Sequence, residues 1–329
     1  MRVTYEELKQ AFLNPLLKRN VDPTLALECA TEFADTTAYG VLSHGINRYS
    51  VFILQMDKGE VVNKVNPELE KQMGCIEVYN GHRGIGNITA RRMMQRAMDI
   101  AKDDGVGIVA LRNTSHWMRG GSLGYMAAKN DYIGMCFTNS IAVMPAWGTK
   151  ECCIGTNPLI IAVPSDPVTM VDFSMSMFSY GQLQNYALRN EQLPIDGGFD
   201  DKGNYTRDPA TLQKNKQILP MGYWKGSGLS IVLDMIGVAL TGGLSVREVT
   251  EQGCEKGVTQ IFMAIKPVAD ANTMQQKFAG ICDYVLEAAA RCEDHPAHIP
   301  GHLLESRYQK SIEQGIEVNE DIYKNILTL

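Results

Sequence analysis

The sequence predicts an α/β protein: a central mixed β-sheet with helices, flanked by a helical unit built from both chain ends. Three observations carry this reading. Residues 1–60 hold three amphipathic helical patterns with start and stop signals and no strand signal. Between residues 75 and 265, short apolar runs alternate with helical patterns and turns. After that stretch the pattern is mostly helical again. The expected division is a helical unit of residues 1–72 with 268–329, and a central α/β unit of residues 73–267.

Taken in order, Thr4 and Glu7 form a capping box that opens a helix to about residue 17. Asp22 and Pro23 place a cap and a first-turn proline before a second helix, which Gly40 stops. Ser43 is placed to cap a third helix with apolar positions Ile46, Tyr49, Phe52, Ile53 and Met56, ended by Gly59. Residues 75–79 alternate like a strand. A glycine-rich turn, the helix 89–105 and a strand at 106–111 follow. A polar stretch at 112–130 runs into a helix, then comes a strand at 132–138 and a loop to residue 153. Apolar runs at 159–163 and 168–173, separated by a proline-rich turn, read as two buried strands. Residues 192–217 are polar and turn-rich, a length that suggests a functional loop or lid. A helix over 229–243, a strand at 259–265 and a helical remainder complete the chain.

Composition narrows the function. With 329 residues, 45% hydrophobic and 21% charged, the chain is long and apolar enough for a large core. Lys and Arg number 31 against 37 Asp and Glu, a net charge of −6 without a basic stripe. That excludes nucleic acid and anionic membrane surfaces as expected partners. An anionic substrate would need a local cationic pocket. The opening residues carry no secretory signal, and the most apolar helical pattern is short and contains Asp234, so no bilayer span is expected. The 8 cysteines form no C-x-x-C pair and read as reduced thiols, implying a cytoplasmic protein.

The glycine-rich turn invites comparison with dinucleotide-binding folds, but its spacing argues against a Rossmann site. Gly81, Gly84 and Gly86 fall as G-x-x-G-x-G, and Arg112 and Asn113 stand where an acidic residue should end the second strand. A tight turn into a helix explains them. Other residues have more chemistry. His44 and Arg48 lie four apart around a helix start, where anions are favoured. A guanidinium grips carboxylates, and an imidazole moves protons near neutral pH. His116 follows a predicted strand in a polar loop with Arg112, Asn113 and Arg119, where α/β proteins place binding groups. Asn139 and Thr156, from two Thr-Asn pairs at strand borders, can orient hydroxyls or a carboxamide. Lys225 sits between glycines at a helix start beside Trp224, which suits a phosphate-bearing cofactor with a flat ring. Asp172 interrupts an apolar strand and must be bonded if buried. His295, His298 and His302 are dense, but two prolines break any regular ligand spacing, so no metal is expected. Cys152-Cys153 lacks a base, and no G-x-S-x-G is present.

The segments SHGINR, G-x-G-N before a helix, NTSHWMRGG, the TNS loop, GTNP, MVDFS, LP-x-D-x-GF and WKGSGLS recur in order along essentially the whole chain. Their combination resembles the malate/L-lactate dehydrogenase family, whose members bind dinucleotides without a Rossmann fold. The resemblance implies a cytoplasmic homodimer that binds NAD(H), with NADPH as an alternative, and transfers a hydride reversibly at a small 2-keto acid. It implies a proton donor at His44, or in some members an acid/base at His116. It also implies dinucleotide contacts from Val168, Thr169, Met170, Val171, Asp172, Phe173 and Ser174, from Trp224 and Lys225, and from Gly301, His302 and Leu303. Arg48 would hold the substrate carboxylate. Two departures bear on the cofactor: Gln182 stands where more distant members carry lysine, and His302-Leu303 where relatives often carry glutamate. Carboxylates in such places hold ribose hydroxyls, so NAD and NADP both stay open. Rival chemistries are reduction of malate-, lactate- or ureidoglycolate-type acids or of a cyclic imine. A rival of another class is a non-catalytic binder of acidic metabolites.

Overall fold

A computed structural model describes residues 1–291 and 297–329. Cys292 and His295 lie outside the described residues.

The chain starts with β1 (Arg2–Val3) and α1 (Tyr5–Lys18), and Thr4 and Glu7 form the expected capping box. Asp22 caps α2 (Pro23–Ala38), and α3 (Ile46–Asp57) follows. The buried stripes of these helices meet in one core, where Phe12, Phe33, Tyr49 and Phe52 pack ring on ring. Ile316, Val318, Tyr323 and Ile326 close that core from the other end of the chain. The two ends are also stitched by an antiparallel pair that the sequence did not announce, β1 with β13 (Ile316–Glu317). Two-residue strands have no periodicity to read.

The middle of the chain builds a seven-stranded sheet. Its elements are β2 (Glu68–Met73), β3 (Ile76–Asn80), α4 (Gly86–Asp104), β4 (Val106–Thr114), α5 (Gly121–Lys129) and β5 (Ile133–Thr138). A small hairpin of β6 (Ala142–Pro145) and β7 (Cys152–Gly155) occupies the stretch expected to be loop. The antiparallel pair β8 (Leu159–Val163) and β9 (Thr169–Phe173) matches the two apolar runs. Next come α6 (Tyr180–Leu188), the hairpin of β10 (Gly198–Phe199) and β11 (Tyr205–Thr206), and α7 (Pro209–Asn215). These pack on their own core of Phe178, Leu183, Leu193, Leu212 and Ile218, so the expected loop at 192–217 holds structure of its own. The chain continues with α8 (Trp224–Thr241), α9 (Val246–Glu251), β12 (Val258–Ile265), α10 (Ala271–Ala289), α11 (Leu304–Gln314) and α12 (Glu320–Thr328).

Strand order is β2-β3-β4-β12-β5-β8-β9, with β3 and β4 parallel and the other neighbours antiparallel. The sheet is therefore mixed, as expected. β12, late in sequence, enters its centre and is buried on most of its length. β2 escaped sequence reading because all its side chains are exposed, leaving no alternation. β9 is an edge strand, and that edge faces the site.

Candidate active site

The site is assembled from the start of α3, the loop after β4, the outer edge of β9 and the turn before α11. They wall a cavity of about 800 Å³.

His44 lies in the tight turn before α3, not in its first helical turn. Ser43 was the expected cap, but Gly45 holds the N-cap position without a side-chain bond. The capping oxygen comes from another helix: Thr37 Oγ1 on α2 accepts from the Ile46 N–H at 3.1 Å. A Cβ at Gly45 would lie 2.4 Å from that same oxygen, so the turn closes on α2 only with glycine. Ser43 is thereby free, and its hydroxyl sits 3.0 Å from His44 Nδ1. Arg48 follows in the first turn of α3.

His116 is held from two sides. Gln260 Nε2 on the central strand donates to the Ser115 carbonyl at 2.9 Å. The start of α4 packs on the same loop, and a Cβ at Gly86 would lie 2.1 Å from the His116 carbonyl oxygen. The glycine-rich turn therefore serves close packing beneath the site loop. Gly86→Ala is expected to displace His116 and cost about 1–3 kcal/mol as an overpacked contact. Thermal unfolding and turnover should fall together.

The two imidazoles stack at 5.8 Å between centroids and 19° between planes. Their surroundings differ in one respect that decides their chemistry. The Met118 N–H donates to His116 Nδ1 at 2.9 Å. A nitrogen that accepts from an N–H carries no proton, so neutral His116 bears its hydrogen on Nε2. Protonating Nδ1 would set two N–H groups against each other. His44 Nδ1 instead faces a hydroxyl, which can donate or accept, so His44 tolerates both charge states. Burial lowers the His44 pKa from 6.5 to about 4, helped by Arg48 and then Arg119. Burial also holds His116 well below its usual value, with Arg48 and His44 adding to it. Both rings are neutral at pH 7 in the free protein, with burial as the main cause.

Opposite them runs β9. The Met170 N–H is bonded to the Pro300 carbonyl at 3.0 Å, so Met170 points its backbone groups off the sheet. Backbone groups alternate along a strand, and Asp172 presents its N–H and C=O on that same outer edge. Its carboxylate accepts from the Gly121 N–H at 2.9 Å and so holds the start of α5. Asp172 is open to the cavity; the protein packed around its carboxyl raises its pKa, while Arg119 and this bond lower it. Arg119 is buried, lies over the Tyr39 ring at 4.5 Å, and its Nε has no acceptor among the described residues.

Of the residues singled out from sequence, His44, Arg48, His116, Thr156, Met170, Asp172, Phe173, Ser174, Gly301 and Leu303 line this cavity. Asn139 does not. It is buried, donates to Asp234 Oδ1 at 3.0 Å and the Leu244 carbonyl at 2.7 Å, and accepts from the Thr259 N–H at 2.8 Å. Its hydrogen-bonding capacity is spent on the fold, which is a correction to its assignment as a substrate contact. Thr169 and Val171 of β9, and Val168 just before it, do not line the cavity, and Thr169 Oγ1 meets His302 Nε2 at 3.0 Å. Trp224 and Lys225 stand outside the cavity, exposed at the start of α8. His298 lines the cavity, and no group of three metal-ligating side chains comes together among the described residues. The cavity also contains Arg119, from the polar loop of His116, and Tyr180 and Glu255, to which the sequence assigned no role. Glu255 lies in a short loop with no motif to mark it.

Residues 3–327 match the family model described as malate/L-lactate dehydrogenase. The chain belongs to the malate/L-lactate dehydrogenase family. Among curated relatives of this dehydrogenase, the 2,3-diketo-L-gulonate reductase of Pasteurella multocida is 53% identical, with 100% of both chains covered. A 2,3-diketo-L-gulonate reductase of Klebsiella pneumoniae is 51% identical over the same full length. Among solved structures, sulfolactate dehydrogenase of Methanocaldococcus jannaschii superposes with a TM-score of 0.87 at 26% identity, covering 99% of this chain and 95% of that one. The dehydrogenase is thus an oxidoreductase whose family works with a nicotinamide cofactor, and its site fits that group. The outer edge of Asp172 offers a donor and an acceptor side by side, the complement of a carboxamide. The turn at Gly301 presses against β9 so closely that a Cβ there would lie 2.7 Å from the Val168 carbonyl, which keeps this edge and the turn in one wall.

Proposed function

We propose that this chain reduces 2,3-diketo-L-gulonate to 3-dehydro-L-gulonate with NADH, by hydride transfer to the C2 ketone and proton transfer from His44. Full-length identity above one half to relatives named for that reaction supports the substrate. The observation that carries the mechanism is the contrast between the two Nδ1 atoms, hydroxyl-facing in His44 and N–H-facing in His116.

The reduced nicotinamide, when bound, supplies the hydride, and NADPH is the alternative donor. Arg48 holds the substrate carboxylate through charge-assisted bonds. That negative charge beside His44 raises its pKa again, so the ring takes up a proton as substrate binds. His44 then gives a proton to the oxygen of the reduced carbon, turning the ketone into an alcohol. His116 stays neutral and donates its Nε2–H to the same oxygen as its charge grows. Thr156 orients a hydroxyl of the substrate. The segment from Val168 to Ser174 and the turn of Gly301, His302 and Leu303 receive the dinucleotide.

The assembly we propose is a homodimer. Its support is the outer face of α8, where Trp224 is 66% and Met235 65% exposed beside Ile231 and Val232, an apolar face that water does not favour. Trp224 and Lys225 then lie at the subunit junction, and their contact with the dinucleotide is made there. No described helix is long and apolar enough to cross a membrane, and the cytoplasm is the proposed location.

Fluorescence titration with NADH and NADPH separates this reading from a non-catalytic binder of acidic metabolites. Saturable binding of a reduced cofactor is expected. Binding of neither would overturn the enzyme reading.

A further inference from the structure

We propose that Glu255 sets substrate choice: its carboxylate receives hydroxyl groups from the tail of a polyhydroxylated 2-keto acid and turns away a second substrate carboxylate. The inference rests on the 2-keto acid reading above.

Glu255 sits in the short connection between α9 and β12 and lines the same cavity as His44 and Arg48. Its side chain is only 18% exposed, so its negative charge is largely removed from bulk water. Among the described residues its one bonded partner is Arg48, whose Nη2 lies 3.4 Å from Glu255 Oε2. That contact is single and long, unlike the two-pronged pair that a guanidinium and a carboxylate make when they satisfy each other. Both partners keep capacity in reserve. Arg48 Nε is buried without an acceptor, and Glu255 Oε1 has no donor among the described residues. Burial pushes the Glu255 carboxyl up, and Arg48 pulls it down.

A largely buried carboxylate whose second oxygen meets only the cavity favours a ligand that brings donors to it as it displaces water. Hydroxyl groups are such donors. A substrate whose carboxylate takes the spare capacity of Arg48 extends the rest of its chain beside Glu255. If that chain carries hydroxyls, they bond to Glu255. If it ends in a second carboxylate, two like charges meet in a poorly hydrated wall, which disfavours the complex. If it is a bare methyl, the lone pairs stay unmet. The substrate class is a sugar-derived 2-keto acid with one carboxylate, in preference to short or dicarboxylic 2-keto acids.

The test is Glu255→Gln with 2,3-diketo-L-gulonate, pyruvate and oxaloacetate, scored as substrates with NADH or, where turnover is undetectable, as competitive inhibitors. Wild type is measured first. If it reduces no 2-keto acid, the underlying reading fails. Given an active wild type, the variant should lower the preference for the polyhydroxylated acid over pyruvate by about tenfold or more. It should raise the preference for oxaloacetate over pyruvate by a similar factor. Equal change on all three compounds, or tighter binding of all three as if a plug had been removed from Arg48, would overturn the inference. Should Glu255→Gln fail to fold, Glu255→Asp serves. It keeps the charge but shortens the reach, so it should lose hydroxyl preference while still rejecting oxaloacetate, and retention of both preferences would count against the role.

Discussion

His44→Ala should bind NADH as wild type does and lose reduction of the 2-keto acid by about 10²- to 10⁴-fold in kcat. The reasoning starts from the turn before α3. Gly45 and Thr37 close that turn without using the Ser43 hydroxyl, which is left facing His44 Nδ1. The ring can therefore become an imidazolium that donates to Ser43 while Nε2 holds the proton to be transferred. In the free protein the His44 pKa is lowered from 6.5 to about 4, so almost no charged ring is present at pH 7. Reduction starting from free enzyme needs that proton, and kcat/KM should fall as pH rises through neutrality. A group whose folded pKa is depressed below its unfolded value binds fewer protons folded than unfolded between those values. For a histidine this stability is fully present above about pH 6.5 and is lost as pH falls toward 4. Acid should thus destabilise the free protein over that window, and a bound carboxylate ligand should protect it. Stopped-flow binding, kcat and thermal unfolding against pH check these outcomes. Undiminished turnover by His44→Ala would reject the assignment. His116→Asn, which loses the neutral donor but not the proton, should be impaired less.

Arg48→Ala is expected to lower kcat/KM by about 30- to 10³-fold, mainly through KM, because a carboxylate anchor truncated in an enclosed site costs about 2–4 kcal/mol. Arg48→Lys should recover only part, since an ammonium cannot repeat the planar fork. The substitution also strips Glu255 of its cation. Removing one partner of a fully buried pair costs about 3–5 kcal/mol, but this contact is long and partly open, so about 1–2 kcal/mol of stability is expected to go. The split between KM and kcat distinguishes an anchor from a group acting on the reacting bond. A change confined to kcat would contradict the role of Arg48.

The sequence exposed much of this arrangement because the relevant signals were local. Thr4-Glu7 and Asp22-Pro23 are cap chemistries readable over a few residues, and both caps form as written. The apolar runs at β8 and β9 are bounded by prolines and sit in the sheet as neighbours. His44, Arg48 and His116 were visible as chemistry-bearing residues at element borders, and the fold brings all three to one cavity. Most of the misreadings share a cause: the deciding partner sits on another element, out of reach of any local pattern. Ser43 looked like a cap because the Thr37 hydroxyl, supplied by a neighbouring helix, leaves no trace beside it in sequence. Asn139 looked like a ligand-facing amide because its partners at 234, 244 and 259 come from another part of the chain. Glu255 was passed over because only the closed fold sets it against Arg48. The exposed strand β2 had no hydrophobic face to betray it.

The central claim is tested most directly by following the loss of NADH absorbance when the protein meets 2,3-diketo-L-gulonate. Consumption of NADH, or of NADPH in its place, in step with substrate is the predicted result. No consumption with either cofactor, for this acid or for any other 2-keto acid in a screen, would contradict it.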